Sequence, residues 1–213
     1  MIDSAHELPG PPPHVHPAAS TATEHTGDRA LRAMSIRVRA MTLADAEAVA
    51  AIRVRGWQSA YRGLVPDGHL DAMDVTENAA RQRERLLHRD PLTTDLVAER
   101  DGVAIGWGCV GPYRPGGGSA PEPADRPDGE LYALYVDPHA FGTGAGRALL
   151  TALLEMAAAA GHGRLLLWVL EGNVLARRFY ERSGFTADGA HDPCEVDGVP
   201  APEVRYCRPL PRT

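Results

Sequence analysis

The sequence predicts an α/β (or α+β) protein in which a mixed sheet carries helices on both sides. Apolar stretches of strand length recur along the chain, and the segments between them carry apolar residues at helical spacing. Clusters of glycine and proline separate the two kinds of segment. At 213 residues the chain is long enough for one domain with a substantial core and a tail.

The N-terminal segment, residues 1–34, is predicted to be a disordered tail. It is rich in Pro, Ser, Thr and His and shows no periodicity, so it cannot bury enough apolar surface to offset the entropy of ordering. His14 and His16 flank one residue, but no second ligand pair follows, and a solvated tail is favoured over a metal site. The domain is predicted over 35–213, with Met34 as a candidate start of translation.

The first half of the domain is predicted to contain a strand, two helices and a hairpin. "SIRVRA" (35–40) alternates apolar and basic residues, as a half-buried strand does. Thr42 and Asp45 have the spacing of a capping box and open the first helix. A second helix is predicted over 74–89, and the Asp-Gly pair at 101–102 joins two strands in a hairpin.

The second half follows a Gly- and Pro-rich loop (112–129) and alternates strands with helices. Its predicted elements are a strand at 130–136, a glycine loop, a helix at 144–160, a strand at 164–170, a helix at 174–184, and strands near 185–190 and 203–210. The helical spacing of the first of these helices indicates a helix that lies on a sheet, with one face formed by Leu149, Leu150, Leu153, Met156 and Ala157.

Composition excludes several classes of protein. A net charge of −6 offers no electrostatic footprint for nucleic acid, and no apolar run is long enough for a membrane span. The chain contains no lysine, so a Schiff base and a Walker phosphate lysine are both excluded. The N-terminus lacks the order of charged and apolar residues of a secretory signal. We therefore expect a cytoplasmic enzyme that acts without nucleic acid or membrane.

The three cysteines give no sign of a disulfide framework or a metal centre. They are odd in number and far apart in the sequence. His191, Cys194 and Cys207 have a spacing that fits no standard zinc site, so no metal is expected.

A glycine loop, "FGTGAGR" (141–147), opens the helix at 144–160. Backbone N–H groups at the start of a helix bind anions when side chains do not obstruct them. A Walker loop would need a lysine, and a dinucleotide fingerprint would need a third glycine at position 147 or 149, where Arg147 and Leu149 stand. A plain glycine-rich turn remains the alternative to an anion site.

Two segments around this loop resemble a known family. "ELYALYVDPHAFGTGAGRALL" (130–150) resembles the central motif of the GNAT N-acetyltransferase superfamily, a strand followed by a Q/R-x-x-G-x-G/A loop that opens a long helix. "LWVLEGNVLARRFYERSGF" (167–185) resembles the next motif of that family, and the resemblance extends over about 35–210. Phe141 departs from the motif, which usually has Gln or Arg there; binding should survive because backbone amides make most of the contacts.

The resemblance implies a mostly antiparallel mixed sheet with a splay at strand 130–136, and acetyl-CoA as the co-substrate. The pantetheine arm would pair with the strand backbone at Leu134, Tyr135 and Val136, like an added strand. Asn173 would hydrogen bond the arm, although a helix N-cap explains this residue equally well. The pyrophosphate would bind the backbone amides of the glycine loop, and Arg147 would add a positive charge. The loop residues expected to bind it are Gly142, Thr143, Gly144, Ala145, Gly146 and Arg147.

The resemblance also suggests the catalytic groups. Tyr180 matches the family tyrosine near the sulfur and is a candidate general acid, with a core aromatic as the alternative. Glu130 matches a catalytic glutamate of the histone-modifying branch and is a candidate base, with a solvent-exposed strand-edge residue as the alternative. The backbone N–H of Tyr135 or Val136 is the expected oxyanion donor. Strand alternation predicts two faces, one with Glu130, Tyr132 and Leu134 and the other with Leu131, Ala133 and Tyr135.

The acceptor pocket is expected between the first helices and strand 130–136. Trp57, Tyr61 and Tyr132 are aromatic candidates to surround an amine, although Trp57 and Tyr61 also have the spacing of core residues on one helical face. The expected reaction is direct transfer to the primary amine of a small molecule. A protein N-terminal or lysine acetyltransferase and a non-catalytic acyl-CoA sensor are the alternatives, and the oligomeric state is left open, a homodimer included.

Overall fold

A computed structural model describes residues 35–115, 121 and 123–212. The predicted tail lies outside these residues, as does the central part of the loop predicted at 112–129. The helices and strands, in chain order, are β1 (Arg37–Ala40), α1 (Ala46–Ala60), α2 (Asp67–Asp71), α3 (Val75–Leu87), β2 (Thr94–Arg100), β3 (Val103–Pro112), β4 (Asp128–Val136), α4 (Ala145–Ala159), β5 (Arg164–Leu170), α5 (Val174–Arg182), β6 (Thr186–Asp192), β7 (Glu195–Val196), β8 (Val199–Pro200) and β9 (Glu203–Pro209).

Seven strands form one sheet in the order β1-β2-β3-β4-β5-β9-β6. All neighbouring strands are antiparallel except β4 and β5, which run parallel and are joined by the crossover helix α4. The predicted mixed, mostly antiparallel sheet flanked by helices is therefore confirmed. Helix α4 covers one face of the sheet, and α1 covers the other face together with α3.

The start of α1 depends on the predicted Thr42–Asp45 pair. The backbone N–H and the hydroxyl of Thr42 both donate to Asp45 Oδ2 at 2.8 Å, and a short 3-10 turn (Leu43–Asp45) leads into the helix. The guanidinium of Arg39 binds both carboxylate oxygens of Asp45 at 2.7 Å. These hydrogen bonds, chiefly that from Arg39, lower the pKa of Asp45 to about 2. A capping pair and an ion pair from β1 thus fix this helix end.

The hairpin between β2 and β3 is also where the sequence places it. Asp101 and Gly102 both have positive φ, 55° and 77°, as a tight two-residue hairpin turn requires. Helix α4 buries the predicted face against the sheet with one exception, because the Met156 side chain is 44% exposed. That residue was wrongly placed in the core.

Strands β4 and β5 separate after a short paired segment, as the predicted splay requires. They pair only at residues 128–130, and the last partners are Glu130 and Leu166. Both strands continue past this vertex, β4 to Val136 and β5 to Leu170. The edges that face each other in the splay are therefore open to a third extended segment.

A β-bulge in β4 corrects the predicted alternation of its side chains. Cys109 pairs with Ala133 and Val110 with Leu131, so Tyr132 is an extra residue in the ladder. Leu131 and Leu134 both pack on the α4 side, which period two forbids without the bulge. Tyr132, Ala133 and Tyr135 pack on the α1 side. The expectations that Leu134 shares a face with Tyr132, and that Leu131 shares a face with Ala133 and Tyr135, were both wrong for this reason.

Two elements were not predicted: the short helix α2 and the hairpin β7–β8. They approach each other, since His69 Nδ1 of α2 lies 3.0 Å from a carboxylate oxygen of Asp197 in the hairpin turn. Within the described part of the chain, every helix is too short or too polar to span a bilayer.

Candidate active site

The glycine loop has a backbone that only glycine adopts without strain. Gly142 and Gly144 have φ of 77° and 93°, and Gly144 is the N-cap of α4. The loop is held from behind, because Thr143 Oγ1 donates to the carbonyl of Ala140 at 2.7 Å. Asp137, which starts the preceding turn, accepts from the N–H of His139 at 3.0 Å.

The first turn of α4 presents amides that have no partner inside the helix. Gly142, Gly144 and Arg147 are exposed around this helix end. Gly146 allows the close approach of neighbouring elements, because an added Cβ would lie 3.4 Å from Val136 and 3.7 Å from Phe179. The loop, the end of β4 and helix α5 thus meet at one place, and the helix end there is suited to an anion.

The hydrogen-bonding direction of β4 selects which amides face the splay. The N–H of Asp137 donates to the carbonyl of Ile105 at 2.9 Å, and antiparallel pairs alternate in direction along the ladder. The register therefore directs the N–H of Tyr135 toward β3 and those of Leu134 and Val136 toward the splay. Of the two expected oxyanion donors, only Val136 has its amide on the splay side.

Tyr180 lies on α5 and is almost fully buried, in edge contact with the rings of Phe179 and Phe185 at 5.3 and 5.7 Å between centroids. Burial, followed by the influence of Tyr135, raises the pKa of Tyr180. A phenol with a raised pKa stays protonated at neutral pH and is a hydrogen-bond donor.

Asn173 is the N-cap of α5, as its alternative interpretation proposed. Its Oδ1 accepts from the N–H of Ala176 at 3.1 Å, and the residue is buried. Gly172, just before it, is covered by the loop after α1, because an added Cβ would lie 2.5 Å from Leu64. The cap fixes the Asn173 side chain at the open end of the splay.

Glu130 lies at the vertex of the splay and is not the solvent-exposed strand-edge residue of the alternative interpretation. It is 3% exposed, its Oε2 accepts from the N–H of Arg114 at 2.9 Å, and its Oε1 accepts from the guanidinium of Arg114 at 3.1 Å. The same guanidinium lies 3.7 Å from the ring centroid of Tyr132. Glu130 therefore anchors the loop that follows β3.

The three aromatic candidates for the acceptor pocket divide into two groups. Trp57 and Tyr61 are buried in edge-to-face contact, with ring centroids 4.9 Å apart. Tyr132 is partly buried in a separate cluster and donates to the carbonyl of Pro112 at 2.5 Å. Burial is the main cause that raises the pKa of Tyr132 to about 12. The structure brings Trp57 together with Tyr135 instead, through a 2.9 Å hydrogen bond from the indole N–H to the phenol oxygen.

Sequence reasoning missed two buried charged residues on β9. Glu203 pairs across the ladder with Leu170, a member of the cluster that contains Trp57 and Tyr61. Arg205 binds Asp188 at 2.7 Å. The alternating pattern of "EVRYC" (203–207) places Glu203 and Arg205 on one face of a strand. This pattern could have indicated a pair of charged residues on the same side of the sheet.

Cys109 does not lie in the splay but in the core on the α1 side, 3.6 Å from a guanidinium nitrogen of Arg85. Burial raises the pKa of its thiol, which makes it a poor nucleophile. Among the residues that the structure describes, no group of three or more His, Cys, Asp or Glu side chains is placed to hold a metal ion.

Comparison with known proteins agrees with this geometry. The sequence model of the acetyltransferase (GNAT) family matches residues 53–185. The chain is 28% identical over 171 residues to the uncharacterized N-acetyltransferase YuaI of Bacillus subtilis, covering 79% of this chain and 90% of that protein. It is 33% identical over 148 residues to the uncharacterized N-acetyltransferase Mb2688 of Mycobacterium bovis, covering 69% and 86%.

Among solved structures, the fold is similar to that of the PaiA N-acetyltransferase of Thermoplasma acidophilum, which was crystallised with coenzyme A. The TM-score is 0.62 at 19% sequence identity, and the alignment covers 83% of this chain and 99% of that protein. At this identity the similarity concerns the fold.

Proposed function

The chain belongs to the acetyltransferase (GNAT) family and is an acetyl-CoA-dependent N-acetyltransferase; from that premise we propose that it acetylates the primary amine of a small molecule by direct transfer. The observation that carries the site assignment is the junction of a glycine-lined helix end with the open edge of β4. The pyrophosphate takes the amides of residues 142–147 and the charge of Arg147. The pantetheine arm takes the splay, beside Leu134, Val136 and the Asn173 side chain.

The chemistry follows from the groups around the splay. The amine nitrogen forms a bond to the acetyl carbon, and the N–H of Val136 stabilises the oxyanion that develops there. The carbon–sulfur bond then breaks, and Tyr180 donates its proton to the thiolate. The nitrogen of the new amide loses its remaining extra proton, which returns to the phenol oxygen of Tyr180. Its buried, neutral phenol supports this role. The proton that the ammonium loses goes to Glu130 at the vertex through a chain of water molecules, because six residues of extended strand, about 20 Å, separate Glu130 from Val136. Arg114, which binds both carboxylate oxygens, has to release one of them before Glu130 can accept this proton.

Direct transfer is supported by the state of the three cysteines. An acetyl-enzyme would need a thiolate beside the cofactor, and burial raises the pKa of Cys109, Cys194 and Cys207 alike. Cys109 also lies beneath α3 rather than in the splay. A ternary complex of enzyme, acetyl-CoA and amine therefore suits this chain better than a covalent intermediate.

A small acceptor is supported by the enclosure of the splay on the α1 side. Leu64 covers Gly172 at its open end, and His69 of α2 contacts Asp197 of the β7–β8 turn at 3.0 Å. Trp57 and Tyr61 lie between these contacts in a buried apolar cluster. A polypeptide acceptor needs an open groove of extended length, whereas this enclosure fits a single amine on a compact body.

The test is release of free CoA from acetyl-CoA with a panel of acceptors, followed by mass spectrometry of the products. The panel contains small primary amines, a peptide with a free N-terminal alanine and a peptide with an internal lysine. Acetylation of small amines well above both peptides supports the proposal. Preference for either peptide refutes the small acceptor, and binding of CoA by calorimetry without acetylation of any acceptor indicates a sensor.

A further inference from the structure

Tyr135 lies near the end of β4 with its ring on the α1 side, and neither the loop nor the general acid accounts for its contacts. We propose that the phenol of Tyr135 binds the nitrogen of the acceptor amine and that Trp57 positions this phenol through its indole N–H. The inference rests on the proposed function, because it assigns a specific contact within the same acceptor site.

The phenol oxygen of Tyr135 is fixed by hydrogen bonds from the α1 side. Trp57 Nε1 donates to it at 2.9 Å, and Tyr61, which follows α1, is hydrogen bonded to the same hydroxyl. An indole N–H is a donor only, so Trp57 always occupies a lone pair of the phenol oxygen. The direction of the hydroxyl is thereby set before any acceptor arrives.

The ring of Tyr135 is held on both sides as well. It is stacked on Trp107, with the centroids 6.0 Å apart and the planes inclined by 12°. On the other side α1 approaches closely, because an added Cβ at Gly56 would lie 3.3 Å from Tyr135 Cδ1. Such contacts leave the phenol little freedom, and a group that is already oriented costs less entropy to bind.

The phenol of Tyr135 lies close enough to that of Tyr180 for the two to interact electrostatically. Leu134 and Val136, the neighbours of Tyr135 on β4, direct their amides to the splay where the thioester arm lies. Tyr135 keeps partial exposure, whereas Trp57 and Tyr61 are buried. Tyr180 comes from α5, and its pKa responds to Tyr135 after burial.

The two phenols, Tyr180 and Tyr135, can take separate roles in the transfer. In this scheme Tyr180 donates to the leaving thiolate. Tyr135 directs its own proton to Tyr61 and accepts the Trp57 N–H on one lone pair, so its second lone pair accepts an N–H from the acceptor. That hydrogen bond holds the nitrogen at attack distance from the acetyl carbon and aims its lone pair. Trp57 has no contact with substrate in this scheme and acts only through Tyr135.

The experiment compares Tyr135→Phe, Trp57→Phe and the double variant in steady-state kinetics with the best amine of the panel. Tyr135→Phe should raise the acceptor KM about tenfold, which corresponds to ~1.4 kcal/mol, and leave the Kd for CoA within a factor of two. Trp57→Phe keeps a ring but loses the N–H, so it should raise the same KM. The double variant should be no worse than Tyr135→Phe alone, because the two residues act through one hydroxyl.

The matched control is Tyr206→Phe. That hydroxyl is buried between β9 and α5, where it donates to Glu181 at 2.7 Å and accepts from Arg177 at 3.1 Å, so its partners belong to α5 and not to α1 or β4. Its removal should lower the melting temperature and leave the acceptor KM unchanged. A general loss of stability therefore cannot imitate the expected result.

Three outcomes overturn the inference. An acceptor KM within a factor of two of wild type in Tyr135→Phe removes the contact with the nitrogen. Additive effects of the two substitutions show that Trp57 does not act through Tyr135. If wild-type protein acetylates no amine at all, the proposed function fails together with the inference, whereas an active wild type with an unaffected Tyr135→Phe contradicts the inference alone.

Discussion

The assignment of the anion site can be tested by substituting two glycines that have similar backbone conformations and similar open surroundings. Gly142 lies in the loop before α4, and Gly161 follows the other end of the same helix. Their φ values are 77° and 87°, and neither has a heavy atom within 4 Å of an added Cβ. Substitution by alanine therefore brings the same backbone strain at both positions and no steric clash at either.

The strain sets the expected loss of stability. An L-residue in the left-handed region costs about 1–2 kcal/mol, so Gly142→Ala and Gly161→Ala should each lower the melting temperature by roughly 2–8 °C for a domain of this size. If the backbone at Gly142 turns to relieve the strain, one amide no longer points at the pyrophosphate. A hydrogen bond to a charged group contributes about 1.5–3 kcal/mol, so the Kd for CoA should rise roughly 10- to 150-fold in Gly142→Ala.

Isothermal titration calorimetry with CoA, together with thermal unfolding of the unliganded proteins, measures both quantities. Gly161→Ala should lose stability and bind CoA as the wild type does. Equal affinity in the two variants, with the stability loss present in both, would show that the loop is a structural turn and that the cofactor lies elsewhere.

Three further substitutions test separate parts of the site and fold. Tyr180→Phe should lower kcat about 100-fold or more without changing the Kd for CoA, and an unchanged kcat would remove Tyr180 as the acid. Glu130→Gln should slow turnover most at low pH, where the amine is most protonated; a constant ratio to wild type across pH contradicts its role as base. Asp45→Asn should lower the free energy of unfolding at pH 7 by ~1 kcal/mol, a modest figure because the guanidinium of Arg39 stays partly exposed to water. The pKa of Asp45 is lowered to about 2, so this contribution exists above pH 4 and is lost as pH falls toward 2; urea unfolding at pH 7, 4 and 2.5 shows whether the difference persists.

The parts of the fold that follow local rules were predictable. Thr42 and Asp45 close a capping contact three residues apart, and the turn at 101–102 needs only its two residues. The glycine loop and α4 lie within a few positions of their predicted bounds, because φ and helix capping are decided by neighbouring residues. The same holds for Asn173, whose side chain caps the helix that starts directly after it.

The parts that depend on distant partners were not predictable. The bulge at Tyr132 arises from the pairing of β4 with β3, which the spacing of apolar residues in β4 does not encode. Arg114 comes from an irregular segment, so nothing local indicates that it binds Glu130. The contact of Trp57 with Tyr135 joins residues 78 positions apart, and only the packing of α1 on the sheet brings them together. The side-chain contacts of the candidate site therefore belong to the part that the sequence alone does not predict.

Pairing between β4 and β5 ends early, at Glu130 and Leu166. This open edge would make the stability of the protein depend on the concentration of its cofactor. In the proposed complex, the pantetheine arm of the cofactor supplies the amides and carbonyls that the open edge of β4 lacks. A cofactor that binds only the folded protein stabilises it, so a cofactor concentration of 100 times Kd raises the free energy of unfolding by about 2.7 kcal/mol. If the cofactor binds at this edge, depletion of acetyl-CoA and CoA lowers the free energy of unfolding as well as stopping turnover.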